Sequence, residues 1–158
     1  LKIKNLPVLQ PEKIHPKRII KGLEWHKEEI SGTRLWGALF DNYGSVEKIF
    51  SKIFVVNHCP LMFFKGVNGT NITPDKIPGE SIKKIIQRCD IYLKEIVDIM
   101  QIETVVGVGK YSKKRAEIAL DKTKVNLKSC WHPSPASPLA NKNNGADWRE
   151  NFRSILPK

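Results

Sequence analysis

Apolar residues recur at helical spacing in several stretches of the chain. The longest pattern runs from about Ser81 to Met100 and repeats every three or four positions, which predicts one amphipathic helix with a wide buried stripe. Shorter patterns of the same kind, each opened by a serine cap or closed by a glycine, predict further helices. These are a helix from a Ser31 cap to Gly44, one from a Ser45 cap to Phe50, one from a Ser112 cap to Leu120, and a last one over 146–156.

Continuous apolar runs of strand length lie between the helical patterns. They cover residues 53–56, the positions from Thr104 onward, and residues 125–130. Strands that alternate with helices predict a parallel α/β sheet with right-handed crossovers, and such a sheet carries its site at the carboxyl ends of its strands. Asn57, Gly109 and His132 all fall at such ends. Residues 1–18 are expected to be extended and residues 65–79 to form a loop, because both are interrupted by proline or glycine.

Composition limits the kind of protein and its partners. The 158 residues contain no internal repeat or linker, which predicts a single domain over 1–158. A net charge of +11, from 27 Lys and Arg against 16 Asp and Glu, favours a polyanionic partner over a merely basic surface. The basic residues are scattered along the chain, so charge alone does not distinguish nucleic acid from another anionic surface.

Neither the cysteines nor the histidines show the spacing of a metal site. Three cysteines lie far apart without a C-x-x-C pair, which predicts reduced thiols and neither zinc nor an iron–sulfur cluster. No apolar run approaches the roughly 20 residues needed to cross a bilayer. We therefore expect a soluble, intracellular protein with no metal, no cofactor and no membrane partner.

A proline-rich loop follows the third predicted strand and begins at His132. Three prolines within residues 133–138 remove three backbone donors and fix three φ angles, so the loop is shaped in advance. A stiff loop with a histidine at its root, at the end of a strand, is a typical place for chemistry in an α/β sheet. The alternative is a rigid connector whose histidine is only a hydrogen-bonded turn residue.

Two further segments narrow this choice, namely residues 57–64 and 105–109. Together with the proline loop, and with colinear pieces at 15–18, 22–24, 31–37 and 69–74, they make the chain resemble the single-strand-selective monofunctional uracil-DNA glycosylases of the uracil-DNA glycosylase superfamily. The resemblance runs from about Val8 to the end. It implies a three-layer α/β/α sandwich around a short parallel sheet of four strands, in which the first strand lies between the second and the third.

One part of the family pattern has no counterpart in the sequence. The family carries a Gly-Met-Asn-Pro-Gly-Pro type segment upstream, whose asparagine positions the attacking water. Neither that segment nor the first, interior strand is found here, so we expect the chain to be the carboxy-terminal two-thirds of a glycosylase. Neighbouring strands would then have unpaired ladder groups, at about 1–3 kcal/mol each when buried, and the chain should fold poorly alone.

The resemblance implies hydrolysis of the N-glycosidic bond of uracil, and of some 5-substituted uracils, in single- and double-stranded DNA. The reaction would proceed by base flipping, with water as the nucleophile, and would initiate base excision repair in the nucleus by a monomer. His132 would be the catalytic residue, donating to uracil O2 as negative charge develops there. Asn57 would bind the substrate, because one carboxamide matches the N3–H donor and O4 acceptor of uracil but not the reversed pattern of cytosine.

Two loops are predicted to contact DNA. The proline loop resembles the wedge that fills the space of the flipped base, although Ala136 stands where the family often has arginine. The loop from Val67 would bind phosphate through small polar residues, unless it is a plain surface loop. The predicted DNA-binding residues are Val67, Asn68, Gly69, Thr70, Asn71, Thr73, Pro133, Ser134, Pro135, Ala136, Ser137, Pro138, Leu139, Ala140, Asn141 and Lys142.

Other interpretations stay open. The glycines at 107 and 109 do not form a nucleotide-binding loop, because Thr104 and Ser112 occupy positions where such loops need glycine. They are predicted to permit close backbone approach at a strand-to-helix turn. The main alternative function is a catalytically incomplete nucleic-acid-binding fragment or paralogue of the same fold. A flavodoxin-like domain that binds a small ligand is the second.

Overall fold

The longest apolar stripe of the sequence forms the longest helix. In the computed structural model, which describes residues 9–10, 12–22 and 28–157, helix α3 spans Glu80–Ile99. Its ends lie within one residue of the predicted ones, and Ile82, Cys89, Leu93 and Val97 are buried along one face. The amphipathic pattern alone therefore determined this element. Part of the predicted extended lead-in, residues 1–8 and 11, lies outside the described residues.

The shorter helices agree with prediction, but two of their caps do not. Ser45 caps α2 by accepting the backbone N–H of Lys48, as expected. Ser31 is not a cap, because Glu29 accepts the N–H groups of Ser31 and Gly32 and the helix begins at Ile30, two residues earlier than a Ser31 cap predicts. Ser112 lies inside its helix, which begins directly at the end of a strand. The helices are α1 (Ile30–Tyr43), α2 (Val46–Phe50), α4 (Gly109–Ala119) and α6 (Ala146–Arg153).

A pair of parallel strands forms the centre of the fold. Strands β3 (Thr104–Val108) and β4 (Asn126–Cys130) pair in parallel, with α4 as the crossover between them. Alternate side chains of β3 face opposite layers, so Val106 contacts the cluster beneath α1 and α6 while Val105 contacts the cluster beneath α3 and α4. Helices thus cover both faces of the sheet. This arrangement confirms the predicted α/β fold.

The prediction of a strand over residues 53–56 is wrong for this structure. The segment has no strand pairing, and Phe54 and Val55 are exposed. A strand needs a neighbour to satisfy its ladder groups, and this run pairs with no described strand. An apolar composition therefore did not suffice.

The predicted loop over residues 65–79 also contains regular structure. Strands β1 (Phe63–Lys65) and β2 (Thr70–Ile72) pair antiparallel, and a turn over residues 66–69 joins them. A single 3₁₀ turn, Pro74–Lys76, follows. We call β1, the turn and β2 the hairpin. The sheets described are therefore this hairpin and the β3–β4 pair.

Two apolar clusters form the core. The larger one joins α1, α2, β4 and α6 and includes Leu39 and Trp148, each with about 1% of its surface exposed. Trp148 stacks on Phe152 with ring centroids 5.2 Å apart and donates its Nε1–H to the carbonyl of Trp131 at 2.9 Å. The second cluster joins α3 and α4 around Leu93 and Leu120.

The proline loop, residues 133–142, lies between β4 and α6. It contains a single helical turn, α5 (Pro138–Asn141), and is followed by a 3₁₀ turn, Lys142–Gly145, in which Asn143 and Asn144 have positive φ. The predicted stiff loop is therefore partly helical. Within the described ranges, no helix has both the length and the apolar character required of a bilayer span.

Candidate active site

His132 lies two residues beyond the end of β4, against the first residue of α4. Gly109 has a φ of +85°, and a Cβ built on it would lie 2.9 Å from His132 Cβ and 3.1 Å from Cδ2. Only glycine accommodates both this conformation and this approach. Gly107 similarly lets α4 close on β3, since a Cβ there would lie 2.5 Å from Lys113 Cα. The predicted close backbone approach at this strand-to-helix turn is confirmed.

The hydrogen bonding of His132 assigns its tautomer. The backbone N–H of Ser134 donates to His132 Nδ1 at 3.1 Å, so Nδ1 is an acceptor and the neutral ring carries its proton on Nε2. Burial of the ring lowers the pKa of His132, and the Glu29 carboxylate opposes this shift only in part. The ring is therefore neutral at neutral pH. Among the described residues no group accepts a hydrogen bond from Nε2–H of His132, so this N–H is available as a donor.

Arg34 of α1 holds both ends of the proline loop. One terminal nitrogen donates to the carbonyl of Pro133 at 2.9 Å and to that of Ala140 at 3.3 Å, and the other donates to Asn141 Oδ1 at 3.0 Å. Asn141 in turn donates to the Pro135 carbonyl at 2.7 Å. The loop is thus closed on itself and fixed to α1, while Leu139 remains 44% exposed at its surface.

Asn57 is exposed and follows no strand, but the next residue is firmly held. His58 is buried, with Nε2 2.9 Å from Asp90 Oδ1 and Nδ1 3.2 Å from the hydroxyl of Tyr111. Arg115 binds the same Asp90 carboxylate through two nitrogens, one at 3.0 Å. We call these four residues, from three separate segments of the chain, the His58 cluster.

The hairpin is held by the preceding basic segment. Lys17 Nζ donates to Asn68 Oδ1 at 3.0 Å, Arg18 Nε donates to the Gly69 carbonyl at 2.8 Å, and the Arg18 guanidinium lies 5.5 Å from the Phe64 ring centre. Gly69 is buried and uses its own N–H within the turn. Val67 is 83% exposed at the tip. Two cations therefore contact the hairpin beside its exposed tip.

The structure joins some of the predicted site residues and leaves others apart. Gly109 contacts His132 directly, and the His58–Tyr111 hydrogen bond attaches the Asn57 segment to the same helix, α4. The direct approach of Asn57 to His132 stays a prediction. No described hydrogen bond joins the hairpin to the proline loop.

Sequence reasoning missed Arg34 and three members of the His58 cluster. All four lie on helices, and the three charged ones are next to or one turn from a buried apolar residue: Arg34 one turn from Ala38, Asp90 beside Cys89, Arg115 beside Ala116. Charged residues at the edge of a buried stripe were the available signal. Their partners, however, lie between 25 and 107 positions away along the chain.

Comparison with known proteins finds relatives of one description. No protein-family model matches the chain. A single-strand selective monofunctional uracil DNA glycosylase of Mus musculus is 37% identical over 151 residues, which is 94% of this chain and 54% of that protein. The chain is therefore similar to this glycosylase over nearly its whole length. The glycosylase of the same description from Bos taurus is 39% identical over 138 residues, 86% of this chain and 50% of its own length.

The uracil-DNA glycosylase relative from Rattus norvegicus gives the same result, at 37% identity over 150 residues. It is matched over 94% of this chain and 54% of its own length. The predicted resemblance to single-strand-selective monofunctional uracil-DNA glycosylases is therefore confirmed. The chain spans about half the length of the curated relatives it matches.

Proposed function

We propose that this chain provides the base-reading and leaving-group parts of a DNA repair glycosylase that hydrolyses the N-glycosidic bond of uracil. The observation that carries the proposal is the hydrogen bond from Ser134 N–H to His132 Nδ1, which leaves Nε2–H of a neutral imidazole as a donor. The relatives, which are named as uracil-DNA glycosylases, supply the reaction class. None of the residues described here is assigned to position the attacking water.

His132 acts on the leaving group. Cleavage of the bond between base and sugar places negative charge on the uracil ring, largely at O2, while the sugar becomes cationic. A donor aimed at O2 therefore gains more in the transition state than in the ground state. A neutral imidazole held in one tautomer by Ser134 presents this donor without reorientation, and its lowered pKa keeps it neutral.

Asn57 reads the base. Its Oδ1 accepts from uracil N3–H and its Nδ2 donates to O4, whereas cytosine offers the reverse pattern and leaves buried polar groups unpaired. The reading requires a fixed amide. The buried ring of His58, directly next in the chain, supports this requirement.

Access to the bond requires an extruded or single-stranded nucleotide, because the glycosidic carbon is shielded within a duplex stack. The proline loop, closed by Arg34, suits an element that enters the space of the extruded base. The hairpin, flanked by Lys17 and Arg18, suits contact with the phosphate backbone. We propose action on uracil, and on some 5-substituted uracils, in single- and double-stranded DNA, by a nuclear monomer that initiates base excision repair.

The test is uracil release by the native protein. Single-turnover rates are measured on labelled oligonucleotides with one deoxyuridine, followed by cleavage at the abasic site. His132→Ala should lower the rate by about 10²–10³, the usual loss for one such donor, while DNA affinity persists. Asn57→Asp should lower the rate of uracil release and also lower the ratio of the uracil release rate to the cytosine release rate.

Asn126→Asp supplies the control, because it makes the same charge change at an exposed asparagine of β4. It should behave as the parent does. Parent-like excision by both site variants would contradict the assignment of the site. DNA binding by a parent that releases no uracil would favour the catalytically incomplete binding protein instead.

A further inference from the structure

The His58 cluster has no assigned role in the reaction, yet it lies beneath the proposed base reader. The side chains of His58, Asp90 and Arg115 are 6%, 14% and 16% exposed. Buried ionic groups are expensive to desolvate, and apolar replacements of similar volume are often equally stable. A cluster of this kind is therefore weak evidence for stability. The geometry of the cluster explains its presence better than a contribution to stability does.

The hydrogen bonds to Asp90 each have one allowed direction. A carboxylate only accepts, so His58 Nε2–H donates to Asp90, while Nδ1 of the same ring forms a hydrogen bond with the hydroxyl of Tyr111. Arg115 donates one hydrogen bond to each oxygen of the Asp90 carboxylate. Burial raises the pKa of Tyr111 to about 12, so the phenol keeps its proton. The imidazole is thereby held at both of its nitrogens.

His58 connects the Asn57 segment to helix α4, which contacts His132. The Cα of Asn57 lies one peptide unit, about 3.8 Å, from that of His58, so holding the ring limits where the amide stands. Tyr111 stands two positions after Gly109, whose backbone packs on His132. The first turn of α4 therefore contacts the His58 ring through Tyr111 and the His132 side chain through Gly109.

We propose that His58 is a positioning residue that sets the Asn57 amide relative to His132, and that the Tyr111 hydroxyl is the contact that transmits this spacing. The inference rests on the proposed function, since it assigns Asn57 to base reading. His58 itself touches no substrate. Loss of the Tyr111 hydroxyl leaves Nδ1 of a buried ring without its hydrogen-bond partner and allows the ring, and Asn57 with it, to shift.

The test is a double-mutant cycle on the native protein, read out as the single-turnover rate of uracil release. Tyr111→Phe removes one hydroxyl and keeps the ring, so the fold is retained, and a thermal melt of each variant checks this. We expect Tyr111→Phe to slow release about tenfold when Asn57 is present, and less than about twofold when Asn57 is already alanine, because coupled residues are not additive. A general weakening of the fold would slow both backgrounds equally.

Tyr92→Phe is the matched control, an identical change at an exposed tyrosine of α3, and it should leave the rate unchanged. Equal slowing by Tyr111→Phe in both backgrounds, or parent-like release by Tyr111→Phe, overturns the positioning role and leaves the proposed function standing. If Asn57→Ala releases uracil at the parent rate, or the parent releases none, the proposed function falls and the inference falls with it.

Discussion

Replacing Arg34 with methionine should separate the proline loop from the rest of the site. The substitution keeps an unbranched side chain on α1 but removes three hydrogen bonds, to the carbonyls of Pro133 and Ala140 and to the Asn141 side chain. These partners lie 99 to 107 positions away, at both ends of the loop. The Asn141 side chain also joins the two ends, through the Pro135 carbonyl, but it lies within the loop and does not fix it to α1.

The size of the effect follows from the partners. A hydrogen bond from a charged donor contributes about 1.5–3 kcal/mol when well formed, and less when long or exposed. The guanidinium is only partly buried and one bond is 3.3 Å long, so about 2–4 kcal/mol is a fair total for the three. Each 1.4 kcal/mol is about a factor of ten, so even the lower figure reduces the ordered loop relative to the displaced loop by about 30-fold.

Matched single- and double-stranded uracil substrates measure this effect. The loop is proposed to fill the space left in a duplex, and a single strand makes no such demand. Arg34→Met should therefore lower the ratio of duplex to single-strand release by at least about tenfold. Arg34→Lys, which keeps the charge but loses the fork, should fall between the parent and Arg34→Met.

Two controls define what would refute the argument. Arg88→Met removes the same charge from an exposed position of α3 and should leave the ratio unchanged. A thermal melt distinguishes loop release from loss of the fold. If Arg34→Met slows release equally on both substrates, the loop does not act on the duplex and the reasoning fails.

Three further predictions concern the turn at Gly109, the core and the pH profile. Gly109→Ala should destabilise the fold by about 1–2 kcal/mol in a urea titration and slow uracil release, because the φ of Gly109 is +85° and the added Cβ meets His132. Gly37→Ala, in open space on α1, should be neutral or stabilising in the same titration. Leu93→Ala should cost about 2–5 kcal/mol and Ile99→Ala, 80% exposed on the same helix, less than about 0.5 kcal/mol. Activity should be lost as pH falls through the lowered pKa of His132, so the acid limb of kcat/KM lies below 6.5, and a limb at or above that value would contradict the neutral donor.

Local periodicity was enough to predict most helices. The stripe of α3 and the inward face of α4 depend on spacing within one segment, and burial of Leu93 and Leu120 follows from it. Residues 53–56 show where that reasoning stops, because an apolar run becomes a strand only beside a partner. The hairpin was missed for the opposite reason. Its strands have only three residues each, and their pairing across the turn carries more weight than their composition.

Polar contacts across the fold determine the site, and periodicity carries little information about them. His132 was predictable because it stands at a strand end, whereas its tautomer depends on Ser134 within a loop whose shape no spacing rule gives. Arg34 and Asp90 appeared only as charges at the edges of buried stripes. The sequence therefore indicated which groups carry the proposed chemistry, but not which groups hold them.

The contacts of Arg34 and those of the His58 cluster also differ in the property of the enzyme that they are expected to control. Arg34 fixes a loop that projects from the fold, so its loss should change which DNA is accepted more than how the base is read. His58 and Tyr111 lie beneath the site and join the Asn57 segment to α4, whose first residue supports His132. Their loss should change the reading of the base on every substrate alike. Two results would show that this division is wrong. One is a Tyr111 variant that lowers the ratio of duplex to single-strand uracil release. The other is a non-additive effect of Arg34 and Asn57 substitutions on the release rate from single-stranded DNA.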